Sequence, residues 1–387
     1  MKNFNLKNNV MKEFKLKELL KIKNGKDHKN IADGNIPIYG SGGIMRYGNQ
    51  SLYEKESILL PRKGTLNNIQ FSNKPFWTVD TLYYTEIDKS LVEPYFLYNY
   101  LKMLNLENLN TGTGVPSMTF DSYYNLTVQL PELEVQKKIA DILSDIDNKI
   151  SINNSLNDNL EQQAKTLYDY WFVQNANPKW EIVTLNNFIK SDKSGDWGKE
   201  EGQGNYITRV ECIRGADING IIGKGEMKTP TRFILEKNRN KILSENDLVI
   251  EISGGSPTQS TGRLAYITTE VLERFENPLI CSNFCKAISL NNPNELFYFV
   301  YSWNKAYENN VFFGFEGKTS GIKNLLFETL VSTYSIVKPD EKTLIEFQKV
   351  ISTLEKQRQK NLQQNQQLSQ LRDWLLPMLM NGQVKVE

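Results

Sequence analysis

Two stretches of this chain carry the same seven-residue stripe. Ile146, Asn153, Leu160 and Leu167 recur at intervals of seven, and Leu354, Asn361, Leu368 and Leu375 repeat them with an offset of 208 (354 less 146). Asn157 and Asn365, Gln162 and Gln370, and Pro131 and Pro339 keep that offset. An internal repeat constrains architecture before local propensity does, because a duplicated unit must find its structure twice. The chain therefore reads as a pseudo-twofold molecule, each half an irregular head followed by a long helix.

The stripes alternate spacings of four and three, the coiled-coil pattern. The first seam includes Leu143, Ile146, Ile150, Asn153, Asn157, Leu160 and Leu167; the second includes Ile351, Leu354, Asn361, Asn365, Leu368 and Leu375. Helices are predicted from about Glu132 to Val173 and from Asp340 to Met380, each led by a proline. One leucine stripe alone would mark an ordinary amphipathic core helix. Two copies with asparagines in phase favour mutual pairing, since polar seam residues weaken a coiled coil but fix its register. Gln363, Gln364, Gln366 and Gln367 offer a further polar face to helices of another protein. The expected organisation is a first head over 1–131, a first spacer helix over 132–175, a second head over 176–339, and a second spacer helix and tail over 340–387.

Each head predicts mixed α/β structure. In the first, Phe14 to Ile22 reads as a short helix, Ser57 to Phe71 as strand, turn and strand, and Pro94 to Leu104 as a proline-started helix. Glu181 to Lys190, Asp247 to Gly255 and Asn294 to Lys305 copy that plan. Leu16 aligns with Leu185 at an offset of 169, so the second head is about 39 residues longer (208 less 169), with the insertion in its middle.

Composition excludes more than it selects. Lys and Arg number 46 against 45 Asp and Glu, so no global polycation advertises a partner. Residues 1–131 hold 16 basic and 12 acidic groups while 132–175 hold 4 and 8, a weak pointer to nucleic acid. Cys212, Cys281 and Cys285 make no disulfide framework and read as reduced and structural. With His28 the only histidine, neither a zinc site nor a histidine-dependent nucleophile is supported. Gly254 to Arg263 lacks the Gly-Lys-Ser/Thr of a phosphate loop. The 13 prolines are never adjacent, so the Asn/Asp-Pro-Pro-aromatic tetrapeptide of amino-methyltransferases is missing. Pro339 to Lys342 fits a helix start better than a nuclease motif. No apolar run approaches the ~20 residues of a membrane span, and the first residues lack a signal core, which predicts a cytoplasmic protein that binds rather than catalyses.

Glycine-rich polar loops recur at equivalent places in the two heads, where backbone can approach a phosphate closely. A polar glycine loop by itself is usually a surface turn; recurrence raises its interest. The candidate DNA contacts are Ser41, Arg46, Arg62, Lys63, Thr65, Asn67, Thr113 and Ser117 in the first head. In the second they are Thr258, Gln259, Ser260, Arg263, Asn283, Lys318, Thr319 and Lys323. Arginine and lysine suit guanine edges or phosphates, and asparagine or glutamine suit adenine. Trp77 and Tyr47 read as packing residues.

The junctions carry a resemblance. Gly112 to Phe120 (GTGVPSMTF), Leu130 to Asp147 (LPELEVQKKIADILSDID) and Asn159 to Phe172 (NLEQQAKTLYDYWF) follow one another in the order seen in specificity subunits of type I restriction–modification systems. Gly262 to Ile267 (GRLAYI) and Leu368 to Val384 (LSQLRDWLLPMLMNGQV) are similar in the second half. The resemblance implies an α+β fold with two target-recognition domains joined by two long antiparallel coiled-coil helices. It implies that each head reads one half of a split double-stranded DNA target, and that the helices receive two methyltransferase subunits, with restriction/translocase subunits joining through the complex. No cofactor is then expected on this chain; S-adenosylmethionine, ATP and magnesium would belong to the other subunits. One departure stands at the second junction, where Leu344 occupies the place matched to Gln136, so the second helix's first contacts are not transferable. A two-headed type II (IIB-like) specificity subunit, a coiled-coil protein scaffold and an enzyme with an unrecognised site are the competing readings.

The spacer reading makes a prediction. Four residues inserted near Asn153 lengthen the helix by ~6 Å. Methylation mapping should then find a changed gap between half-sites with both half-site sequences retained; altered half-sites would contradict the division of labour.

Overall fold

The computed structural model describes residues 11–384 apart from 111, 113, 226, 257, 320 and 321; at 318 and 319 it describes the backbone alone. Two compact units make up the chain, Met1–Lys149 with Gln367–Glu387, and Ile150–Gln366. Each unit holds one head and part of both long helices.

In the first unit the strands are β1 (Lys12–Lys15), β2 (Leu20–Lys23), β3 (Asp33–Gly40), β4 (Gly43–Gly48), β5 (Ser57–Pro61), β6 (Gln70–Ser72), β7 (Trp77–Thr78), β8 (Leu82–Ile87) and β9 (Thr127–Leu130). They form a four-stranded sheet, β2-β8-β5-β6, a three-stranded sheet, β4-β3-β7, and a clasp of β1 with β9. Lys12 sits opposite Leu130 in that clasp, which ties the start of the head to its end.

The second unit runs through β10 (Glu181–Thr184), β11 (Ile189–Ser194), β12 (Tyr206–Ile213), β13 (Thr231–Leu235), β14 (Leu248–Glu251) and β15 (Ser253–Gly254). It continues through β16 (Leu264–Tyr266), β17 (Leu279–Cys281), β18 (Cys285–Leu290), β19 (Glu316–Thr319), β20 (Ile322–Leu325) and β21 (Ser335–Lys338). The plan of the first head returns as β11-β18-β14-β16, β13-β12-β17 and a β10–β21 clasp with Glu181 opposite Lys338. The β4-β3-β7 and β13-β12-β17 sheets each contain one parallel pair, β3 with β7 and β12 with β17. A small sheet, β15-β20-β19, is added in the longer head. Duplication seen in the sequence is thus duplication of topology.

The short helices expected at Phe14–Ile22 and Glu181–Lys190 are corrected. Only one turn, Leu16–Leu19, lies between β1 and β2, and a single 3-10 turn, Leu185–Phe188, lies between β10 and β11. A nine-residue helix is marginal by itself, whereas strands with waiting partners satisfy their backbone at once. The apolar residues still point inward: Leu16, Leu19, Leu20 and Ile22 are all buried. The proline-started helix is found at Pro94–Met103 and its counterpart at Leu296–Glu308.

The long helices span Leu133–Asp169, prolonged by a π turn at Tyr170–Gln174, and Glu341–Met380. Within the second unit they pair antiparallel. The amide of Asn153 donates to Asn365 at 2.8 Å, and that of Asn361 donates to Asn157 at 2.8 Å. Each asparagine therefore meets the copy of the other, as a local twofold axis requires. Gln364 and Asn154 extend this ladder, accepting from Asn153 and Asn365. In the first unit Arg372 reaches Asp147 at 2.8 Å in the same antiparallel sense.

The apolar seam positions divide their work. Leu143 and Leu375 pack into the core of the first head. Leu167, Ile351 and Leu354 pack into that of the second. Ile146 and Leu160 are buried, Ile150 and Leu368 half-buried. The leucine stripe is thus shared between helix pairing and head docking, while the asparagines serve pairing alone. Asn157→Leu or Asn361→Leu by itself should destabilise by about 1–3 kcal/mol, because a buried amide is stranded. The double variant should recover most of that loss in a urea-unfolding cycle; simply additive losses would mean the two are uncoupled.

Candidate nucleic-acid interface

Three loops of the first head converge where β5 ends. The Gly64 amide donates to the Pro116 carbonyl at 2.9 Å and the Met118 amide to Arg62 at 3.0 Å. Asn68 donates to the Ser41 carbonyl at 2.7 Å, and Gln70 to Gly40 at 2.8 Å. Asn67 Oδ1 accepts from the Leu106 amide at 2.9 Å. Ser41, Arg62, Lys63, Thr65, Asn67 and Ser117 are thereby gathered onto one stitched surface, with Lys63, Thr65 and Asn67 exposed. Gly64 adopts φ +92° against Ser41 Oγ, where a β-carbon would sit 3.0 Å away. Glycine is needed for both reasons. Arg62 lies over the Tyr83 ring, 6.0 Å from its centroid.

The Arg46 guanidinium donates to the carbonyls of His28 at 2.6 Å and Ile31 at 2.8 Å and pairs with Asp33 at 3.2 Å. A fork with its donors committed in this way braces the 28–33 loop. Thr113 lies outside the described residues.

The second head opens into a cleft of about 1180 Å³. Asn283 and Lys323 line it, together with Trp197, Arg214, Phe284 and Phe313. Thr258 and Gln259 are exposed in the adjoining turn, closed by paired backbone bonds between Ser256 and Gln259. Ser260 is buried, its carbonyl accepting from the Tyr307 hydroxyl at 3.1 Å. The side chains of Lys318 and Thr319 lie outside the described residues.

Two carboxylates that line the cleft, Glu251 and Glu316, are held in ion pairs. Arg263 holds Glu251 bidentately at 2.6 and 2.8 Å, and Lys323 holds Glu316 at 2.9 Å. The bond to Glu251 keeps Arg263 above its ordinary pKa, outweighing burial. Gly215 and Gly254 let the backbone close on that carboxylate, since a β-carbon at either would lie 2.7 or 2.5 Å from Glu251 Oε1. Both Arg263 donors that face Glu251 are taken up by that carboxylate, so the side chain braces this part of the head. Lys323 is mostly covered and lies 4.6 Å from the Phe313 ring centroid, so it too is chiefly structural.

The sequence reading missed Trp197, Arg214, Phe284 and Phe313. Phe284 is 55% exposed at the turn between β17 and β18 and adjoins Asn283. An exposed phenylalanine beside a candidate reader carries no periodic signal, which is why pattern reading passes over it. Arg214 is oriented by Asp217, at 2.7 and 3.0 Å, and donates to the Lys228 carbonyl at 2.7 Å. Burial alone would raise the Asp217 pKa, but Arg214 and two backbone amides hold it below the usual carboxylate range. Among the described residues no group of three or more His, Cys, Asp and Glu is placed to hold a metal. Burial pushes the Cys212 and Cys281 thiols up to about 12, which keeps them as inert core groups.

The Asp217 geometry has a measurable consequence. Its depressed pKa means the stabilisation is complete above the ordinary Asp range and fades as pH falls through the lowered value. Asp217→Asn should cost about 1–3 kcal/mol at neutral pH, a charged hydrogen-bond loss. Denaturation at pH 7 and pH 3 should show the gap from wild type narrowing at the lower pH; a constant gap would refute the assignment.

Comparison with known proteins agrees with this duplicated plan. Residues 8–162 match the family described as the type I restriction modification DNA specificity domain. Over 356 residues, 87% of this chain and 79% of the relative, the protein is 23% identical to the type I restriction enzyme MjaIX specificity subunit of Methanocaldococcus jannaschii. It is 37% identical over 97 residues to the HindI specificity subunit of Haemophilus influenzae, covering 23% of this chain and 20% of that one. The crystal structure of the type I restriction–modification S subunit from M. genitalium superposes with a TM-score of 0.62 at 17% identity, covering 98% of both chains. The two-headed fold with long helices is common to that structure and this one.

Proposed function

We propose that the chain is a specificity subunit of the type I restriction–modification family and that its two heads read the two halves of a split double-stranded DNA target. The observation that carries this reading is the repeated head: one sheet plan, one clasp and one docked helix occur twice, on helices that pair through duplicated asparagines. Two like scaffolds with unlike loops are what recognition of two unlike half-sites needs.

The exposure of Lys63, Thr65 and Asn67 supports a division of labour within the first head. Lys63, exposed beside the close backbone turn at Gly64, engages a phosphate, and Asn67 and Thr65 face base edges. In the second head Asn283, Thr258 and Gln259 are the polar readers around the cleft, and Arg214, held by Asp217, adds positive charge to its lining. Methyl transfer, nucleotide-driven movement and cleavage are assigned to partner subunits. Two methyltransferase chains dock on the helices, and restriction chains join through the complex. S-adenosylmethionine, ATP and magnesium are bound there and not here. No helix among the described residues is long and apolar enough to cross a membrane.

The test is selection from a random duplex pool by this chain with its methyltransferase partner. Two short sequences separated by a constant gap are expected; one continuous motif would overturn the reading. Lys63→Ala should weaken binding uniformly across sequences and reduce the slope of log affinity against log salt by about 1. Asn283→Ala should relax one position of one half-site and leave the other half-site intact.

A further inference from the structure

Each long helix presents an acid at the same point of the repeat, Asp147 and its 208-offset copy Glu355, and each acid is gripped by its own head. Glu355 is 1% exposed. It accepts from the Tyr266 hydroxyl on β16, from the Tyr301 hydroxyl on the head helix at 3.1 Å, and from Arg358 at 2.8 and 2.9 Å. Arg358 continues to Glu161 on the other long helix at 3.2 Å and to the Ile222 carbonyl of the head at 3.1 Å. One turn of helix away, Gln359 accepts from Arg274, which also donates to the Ile221 carbonyl; both bonds are 2.8 Å. In the first unit Asp147 accepts from the Tyr95 hydroxyl of the first head helix and from Arg372 of the other long helix at 2.8 Å.

A buried ion pair is a poor way to gain stability, since packed apolar side chains do as well or better. Its distinguishing property is direction. An apolar helix face tolerates sliding and rotation of whatever docks on it, whereas a carboxylate receiving three aimed donors admits one angle. Burial keeps the Tyr266 and Tyr301 hydroxyls protonated, well above their ordinary pKa, so they remain donors.

Building on the function proposed above, we infer that Glu355 with Tyr266 and Tyr301, and Asp147 with Tyr95, are positioning residues that fix the angle of each head on its own helix pair. Through that angle they restrict the complex to a single gap between half-sites. Helix length sets the coarse separation; these latches set its tolerance. A head grafted onto the second helix would need hydroxyls at the places of Tyr266 and Tyr301, or Glu355 and Arg358 would be left short of partners.

The experiment uses the full chain with its methyltransferase partner and duplexes carrying the selected half-sites at the selected gap, or one base pair longer or shorter. Wild type should strongly prefer the selected gap. The Tyr266→Phe/Tyr301→Phe double variant should lower that preference at least five-fold while both half-site sequences stay the same, and Asp147→Asn should act in the same direction. Ile288→Val, a buried change in the second head's core, is the control for plain loss of stability and should leave the preference unaltered. Should the double variant not fold, Tyr301→Phe and Asp147→Asn singly carry the same comparison. An unchanged gap preference in the folded latch variants, or an equal loss in Ile288→Val, overturns the latch while the two-part target stands. A wild-type complex that selects no gapped duplex removes the reading of function, and the latch falls with it.

Discussion

Asn153 bonded to Asn365, and Asn157 to Asn361, form the contact on which the rest of the architecture turns. Amides buried between helices have few ways to satisfy both donor and acceptor, so they penalise every register but one. Because each member is the duplicate of the other's neighbour, the same four residues impose both antiparallel direction and a local twofold relation. A leucine-only seam would hold the helices together without choosing between alignments.

Within each unit the head is tied to its own long helix. The clasps β1–β9 and β10–β21 return the end of each head to its start, next to the entry of a long helix. Gln136 then reaches from the first long helix to the amide of Glu93, at the start of the first head helix, at 3.0 Å. The matched place in the second repeat is Leu344, yet the same task is performed one turn later by Gln348, which accepts from the Phe297 amide at 3.1 Å. The departure seen at the second junction is thus a shift by one helical turn that keeps the glutamine on the same face. Contact chemistry survived where positional identity did not.

The candidate readers show the opposite behaviour. Arg46 and Arg263 have the composition of base-reading residues, but His28, Ile31 and Asp33 take up one guanidinium and Glu251 the other. Lys63 and Asn283 keep their exposure because they stand at turn tips whose backbones are held by neighbouring loops. Residue type alone does not distinguish an arginine that braces a loop from one that faces solvent. The distinction depends on whether an acceptor lies within reach, and the acceptors come from segments distant in the chain.

Periodicity alone determined the two long helices, their duplication and the existence of two mixed heads, because seven-residue spacing and matched offsets are local or self-referential signals. The same signals placed the strand–turn–strand at Ser57–Phe71 and the head helices. They misread Phe14–Ile22 and Glu181–Lys190, where strand partners over 60 residues away outbid a weak helix. Only the tertiary structure decided which cations are free, where the second head opens into a cleft, and that the acids of the repeat are held by tyrosines. Those outcomes depend on hydrogen bonds between segments far apart in sequence, whose geometry no spacing of residues along one segment encodes.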